Sequence, residues 1–473
     1  MQTKKDNIMP ELNTWFTHPT GDPFSDIGGY VIKTLHQRFP DKDILGLIEY
    51  VTKIYVDKWK AKINPFFLNS KVTQPAFNAQ KKIEETQKYF AALLNGTEKN
   101  DKGFCRITGQ ETLLFAAGRD NSILSGSSTF VNFHHTFDGG IMLSKEAIIR
   151  FHFVPLGCVY LLGKIALIHS NNQEITEFFA QTNCNLNLDA IAKGASEGIL
   201  RSPCKSPGTA LFRFVEKIVL DTKKELGQVI RVHSNNSMTL YHFTNFGASP
   251  EVSIYQVPAK VFDFHRAMQT SSLKKDWADF VNSHYRSSEY KKAQYQKETR
   301  RYEWEQKGGK GFIEESDYQN WSNPIYDKLI EDRSILRSFM YWSVENKLNF
   351  NIVEIYQQYI RNMKKETIAK IQEMAEFILN ANDEQGVVKS IKALNNAKSS
   401  YLLRRFIIND IVIKYSKENE GILLTVEDYT EYLFPDSSSW QETRDVLLIA
   451  IFQKIHERKI KIEKEELITE ETE

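Results

Sequence analysis

The sequence has no CxxC pair. Its four cysteines, Cys105, Cys158, Cys184 and Cys204, lie far apart, and no signal peptide precedes them; this is the cysteine usage of a reduced, cytosolic protein. Long hydrophobic runs are also missing. The longest apolar stretch, Val154 to Ile168, is interrupted by Gly157, Gly163 and Lys164, too short and too broken to span a bilayer. There is no excess of either charge. The 61 basic and 60 acidic residues leave a net charge of +1, so any nucleic-acid surface has to be local. No Gly-x-Ser-x-Gly, no paired-carboxylate signature and no repeat of solenoid period occurs. Gly308-Gly309-Lys310-Gly311 lacks the spacing and the Ser/Thr of a phosphate-binding loop. The sequence therefore offers no catalytic site and calls for no cofactor.

What is present is globular. A chain of 473 residues exceeds one typical core and predicts two or three domains; 26% charged and 12% aromatic residues exclude a disordered chain. In Thr20-Gly21-Asp22-Pro23-Phe24-Ser25-Asp26-Ile27-Gly28-Gly29, Gly-Asp-Pro predicts a tight turn and Phe24 an anchor into the fold. Asp26 stands where an N-cap belongs, ahead of the periodic Ile27, Tyr30, Val31 and Leu35. Gly28 and Gly29 inside that helix cost about 1 kcal/mol each and imply the close approach of another backbone.

The rest of 1–100 reads helical, with a run capped by Asp43 and another from Pro75 to Leu94. Phe104 to Gly109 reads as a knuckle turn, and Asn121 to Gly140 as a long polar loop. Ile149, Phe151 and Phe153 alternate with Arg150 and His152, a strand signal; Val229–Val232 with Met238–Phe243 predicts a hairpin across Ser234 to Ser237, and Val252 to Gln256 a further strand. Basic and aromatic residues interleave over 285–310, with four glutamates at spacings that suit a surface helix. From Ile325 onward helical faces recur between short loops, the pattern of an antiparallel bundle. The expected fold is α+β: a mixed N-terminal region over 1–325, with small sheets and long polar loops, then an all-helical bundle over 326–473.

Two groups of residues invite chemistry. His134, His135 and Asp138 would suit a metal-dependent nuclease or hydrolase, but adjacent residues of an extended segment point to opposite sides. Structural zinc needs four ligands, and Cys105, His134 and His135 supply three at most. No metal site is expected. From Gln385 to Asn409, by contrast, Lys389, Lys392, Lys398, Arg404 and Arg405 occur with no acidic residue. Val387, Ile391 and Leu394 share one helix face, which frees Lys389 and Lys392 to neutralise phosphates.

Thr20, Gly21, Pro23, Phe24, Asp26 and Gly28 match a TGxPFxDxG turn, and the chain thereby resembles the large subunit of type I-B CRISPR Cascade complexes, the family named for its paired CXXC motifs. Cys105-Arg106-Ile107-Thr108-Gly109 occupies the place of the first knuckle with one cysteine left. The second knuckle would fall near Met142 to Glu146, which has none, and Pro155-Leu156-Gly157 follows in the family's order. The resemblance implies a non-catalytic, cytoplasmic antiviral-defence subunit at the foot of the complex. Its partners would be guide RNA, target double-stranded DNA, the displaced single strand, the backbone, 5′-handle-binding and small subunits, and a helicase-nuclease or another effector; no membrane is involved. It would read the protospacer-adjacent motif and aid R-loop formation. Short polar side chains on loops suit groove contacts, which nominates Asn132, His134, His135, Asn171 and Asn172. The family also implies a small subunit made by internal translation, for which Met363 is a candidate start.

Overall fold

Asp22 and Pro23 open the first helix. The Asp22 carboxylate accepts from the Ser25 N–H, the Pro23 ring presets φ, and α1 runs Pro23–Arg38. The expected cap, Asp26, is instead buried inside the first turn. The computed structural model describes residues 12–96, 102–125, 140–221, 234–244, 251–306, 309–418, 421–435 and 439–462. The chain forms two compact units, Met1–Val257 and Pro258–Glu473. Residues 258–325 thus group with the helices after them, whereas the sequence had placed them with the N-terminal region.

In the first unit α1 buries Ile27, Val31, Ile32 and Leu35 completely. Each such side chain contributes roughly 1.5–3 kcal/mol. Helix α2 (Ile44–Lys53) is capped by Asp43, as expected, and runs on into a π turn over Ile54–Lys58. Helix α3 (Ala79–Asn95) starts at Asn78 and stops at Gly96, whose φ of +60° closes it in the left-handed region. Strands β1 (Lys102–Phe104) and β2 (Glu111–Leu113) form one ribbon; β3 (Phe115–Ala117) and β4 (Ile141–Leu143) form another.

The alternation at 149–153 is not a strand. Those residues belong to helix α4 (Lys145–Phe153), which Ser144 caps. Every residue from Glu146 to Phe153 is buried, so no face needs to be polar and the amphipathic signature is absent. After α4 come β5 (Val159–Leu161), β6 (Lys164–Ser170), α5 (Gln173–Ala192), α6 (Pro207–Asp221), β7 (Met238–Thr244) and β8 (Glu251–Val257). The four strands make an antiparallel sheet in the order β5-β6-β7-β8. The strand expected at 252–256 is β8. Residues 229–232 lie outside the described residues, and β6 and β8 take both edges of β7.

The second unit begins with α7 (Ala259–Met268) and α8 (Lys274–Asn282). The basic-aromatic segment is then not a surface helix but a small sheet, β9 (Gln294–Gln296), β10 (Arg301–Gln306) and β11 (Gly309–Ile313), with β10 central. Tyr302 is buried, and its hydroxyl donates to the carbonyls of Asn282 and Tyr285 at 2.7 and 3.0 Å. Of the four glutamates, Glu303 pairs across the strands with Lys310, and Arg301 pairs with Glu314, just beyond β11. Helices α9 (Glu315–Tyr318), α10 (Pro324–Ile330), α11 (Leu336–Glu345), α12 (Phe350–Tyr359), α13 (Lys365–Asn380), α14 (Glu384–Asn395) and α15 (Ser400–Phe406) follow. A π turn (Ile407–Val412) joins α15 to α16 (Ile413–Glu418), and another (Asp428–Leu433) precedes α17 (Trp440–Arg458). Every residue of α17 from Thr443 to Phe452 is buried, which makes it the central helix of the bundle. The α+β class expected from sequence is the observed one. Among the described residues, no helix is long and apolar enough to cross a membrane.

Candidate nucleic-acid interface

The N-terminal turn is a packing node. Asp26 Oδ1 accepts from the Thr20 N–H (2.6 Å) and hydroxyl (2.8 Å), and Oδ2 from the Gly21 N–H (3.0 Å). Burial alone would raise this carboxyl; the His169 imidazole, 3.7 Å away, and the Thr20 and Gly21 donors outweigh it and hold the group below the ordinary carboxylate range. Beside it lies Arg150, a fully buried guanidinium on α4. Its Nη2 donates to the Trp15 and His18 carbonyls, both at 2.6 Å, and its Nη1 to Ser25 Oγ at 3.2 Å, with Asp26 Oδ1 at 3.8 Å. A buried charge is tolerable only with such partners.

The glycines of α1 are needed here, as the sequence predicted. A Cβ on Gly28 would lie 2.1 Å from the Arg150 carbonyl oxygen, so α1 and α4 touch backbone to backbone. A Cβ on Gly157 would lie 2.5 Å from Ile27 Cγ2, so the Pro155-Leu156-Gly157 turn packs on the same helix. Asn183 and Asn187 of α5, both buried, donate to the carbonyls of Gly157, Leu156 and Cys158 and hold that turn. Phe24 packs edge-on against Phe243 at 5.1 Å between ring centroids.

The knuckle is a real turn. The Gly109 N–H donates to the Cys105 carbonyl at 2.9 Å, with Gly109 at φ +67°. The Thr108 N–H points at Cys105 Sγ (3.4 Å), and the Arg106 N–H reaches the Met142 carbonyl on β4 (3.3 Å). The stretch expected to hold the second knuckle therefore lies against the first. Burial would raise the Cys105 thiol, but hydrogen bonds from Ser144 and Thr108 outweigh it and bring it below its ordinary value. Among the described residues, no three His, Cys, Asp or Glu side chains are grouped to hold a metal ion.

Asn132, His134, His135 and Asp138 lie outside the described residues. Asn171 and Asn172 lie within them and have structural work. The Asn171 amide donates to the Asn235 carbonyl (2.9 Å) and accepts from the Ser237 N–H (2.7 Å), which ties the end of β6 to the turn before β7. Asn172 caps α5, accepting from the Glu174 N–H at 3.0 Å. A cap signature, Asn172 followed by Gln173 and Glu174, stood in the sequence for this role.

The acid-free run forms α14, the turn after it, and α15. Val387, Ile391 and Leu394 are buried, and Lys389, Lys392, Lys398, Arg404 and Arg405 are all exposed. Their surroundings differ. The Arg404 guanidinium lies over the Phe434 ring at 4.7 Å and near that of Tyr429 at 6.0 Å, so its charge is held against aromatic faces. Among the described residues, Lys389, Lys392 and Arg405 form no ion pair and no side-chain hydrogen bond. Sequence reasoning missed Tyr401, 69% exposed, one helical turn ahead of Arg405. Its position inside the basic run was the available signal.

Residues 341–473 match the family model described as the DevT C-terminal domain, a span that contains this whole surface. No curated protein matches the chain.

Proposed function

We propose that this chain is the non-catalytic large subunit of a type I-B CRISPR Cascade complex, a cytoplasmic DNA-surveillance assembly. In this reading the first unit works at the foot of the complex, near the guide-RNA 5′ end. It reads the protospacer-adjacent motif in double-stranded DNA and helps open the R-loop. The second unit holds single-stranded DNA through phosphate contacts, and the subunit as a whole docks a helicase-nuclease or another effector. The observation that carries the reading is the α14–α15 surface: exposed cations on an acid-free run, three of them without partners among the described residues, in a chain whose net charge is +1. Unpaired lysine and arginine side chains are what a polyanion needs, and a phosphate backbone supplies the matching row of charges. The turn, knuckle and Pro-Leu-Gly elements that carry the resemblance support it as a set, because all three lie in the first unit and the Pro-Leu-Gly turn packs on α1, the helix that the N-terminal turn opens.

The test is co-expression of the gene cluster that surrounds this chain, with an affinity tag on the chain itself. Guide RNA and further Cascade subunits in the purified complex are the expected result. In that complex, reversing Lys389, Lys392, Lys398, Arg404 and Arg405 to glutamate weakens retention of opened target DNA and leaves motif preference unchanged. A tagged chain that purifies without RNA, and cleaves DNA with divalent metal, would overturn the proposal.

A further inference from the structure

The exposed tyrosine at the start of α15 has no structural task. Tyr401 makes no ring contact and no hydrogen bond among the described residues, while most other aromatic side chains of this unit pack on one another. Tyr401 and Arg405 are four residues apart on α15 and share a face; Lys389 and Lys392 are three apart on α14 and share another. A turn of four residues, 396–399, connects the two helices. Leu402, the next residue, is 41% exposed. Arg404, held over Phe434, completes the setting without competing for the tyrosine.

We infer that Tyr401 is a base-stacking platform for the single strand that the proposed function places on this surface. The inference rests on the proposed function and deepens it. Phosphates alone would be satisfied by the cations, and a duplex keeps its bases stacked on each other, leaving an exposed ring nothing to cover. A single strand offers both a phosphate row and free base faces. Lys389, Lys392 and Arg405 take the phosphates, and the ring of Tyr401 takes one base. Stacking of this kind tolerates any sequence, because every base has a π face.

The experiment uses the full chain and three labelled probes of equal length: oligothymidylate, the same deoxyribose-phosphate chain without bases, and polyglutamate. Binding is followed by fluorescence anisotropy across a salt series. Tyr401→Ala is expected to weaken oligothymidylate binding about tenfold, with the abasic chain unaffected and the salt slope unchanged. Tyr401→Phe keeps the ring and stays within about twofold of the parent protein. Lys392→Glu with Arg405→Glu weakens both nucleic-acid probes and flattens the salt slope. If the charge variants act but Tyr401→Ala does not, stacking is refuted while the nucleic-acid reading survives. If neither nucleic-acid probe binds, both fall. Tighter binding of polyglutamate, lost in Tyr401→Ala, would make this surface a dock for an acidic protein and overturn the inference.

Discussion

Gly28→Ala puts the backbone contact between α1 and α4 to a test in which two lines of reasoning predict opposite signs. An isolated helix gains about 1 kcal/mol when alanine replaces glycine. In this fold the new Cβ would stand 2.1 Å from the Arg150 carbonyl oxygen, more than 1 Å inside ordinary contact. The obstacle is backbone, so no side-chain rotation relieves it. The helices must separate, which costs about 3 kcal/mol by analogy with overpacked cores. Separation also pulls the Arg150 guanidinium from the Trp15 and His18 carbonyls, both held at 2.6 Å. Loosening one such charged hydrogen bond adds about 2 kcal/mol. Against the propensity gain, the net loss is about 4 kcal/mol, confined to the first unit.

The four cysteines make that unit separately observable. All are buried and all lie before Pro258, so thiol labelling in urea reports the first unit alone. With a slope of about 3 kcal/mol per molar, the labelling midpoint should fall by about 1.3 M. Gly198→Ala, in the same unit, is the control. Its Cβ would meet nothing within 4 Å and its φ is not left-handed, so the midpoint should hold or rise slightly. A Gly28→Ala protein as stable as its parent would refute the backbone contact.

Three other perturbations have definite outcomes. Burial pushes the imidazoles of His152, His265 and His284 down, to about 3, about 4 and about 4; each is neutral in the fold and charges on unfolding below about 6.5. Stability from these groups is complete above pH 6.5 and is lost as pH falls toward 4, with a limiting slope of about 1.4 kcal/mol per pH unit for each histidine, measurable by urea titration at a series of pH values; a flat profile would contradict their burial. Asn172→Ala removes the α5 cap and should cost about 1 kcal/mol by thiol labelling, so any change in DNA binding must be compared with a stability-matched variant before Asn172 is assigned to the interface. Chelator treatment should leave the first unit's labelling midpoint unchanged, because Cys105 is satisfied by hydrogen bonds from Thr108 and Ser144; a chelator-dependent midpoint together with stoichiometric zinc would show that the knuckle holds an ion.

Legibility followed the size of the apolar period. The bundle helices were readable because α13 and α14 each bury one stripe, as Ile368, Ile371 and Met374, or Val387, Ile391 and Leu394, show. The errors came where burial is two-sided or the window short. Helix α4 is buried all round, so Arg150 and His152 mimicked the polar face of a strand, although each is inside: Arg150 on backbone carbonyls, His152 within 3.0 Å of the Thr52 hydroxyl. Strand β10 reads Arg301-Tyr302-Glu303-Trp304-Glu305, an alternation visible in the sequence but masked by glutamate spacings that also suit a helix. Gly311 was a further sign, since a Cβ there would strike the Trp304 indole at 2.4 Å.

The turn, knuckle and Pro-Leu-Gly segments were the most legible features, and none of them presents a free chemical group. Asp26 is consumed by Thr20, Gly21 and His169, Gly28 and Gly157 by neighbouring chain, and Cys105 by its own turn. Motifs of this kind identify architecture, because only a few residue types satisfy a buried turn or a backbone contact, and those types remain recognisable out of context. The proposed phosphate-binding surface makes the opposite demand. Lys389, Lys392 and Arg405 need charge, exposure and the absence of a partner, and many arrangements meet that. Sequence could show that acids were missing from 385–409, but not that Arg404 lies over Phe434 while Arg405, one residue on, has no partner among the described residues. The fold and the proposed function thus rest on different residues. It follows that substitutions in the N-terminal turn should act through stability, and those on α14 and α15 through binding, with little exchange between the two.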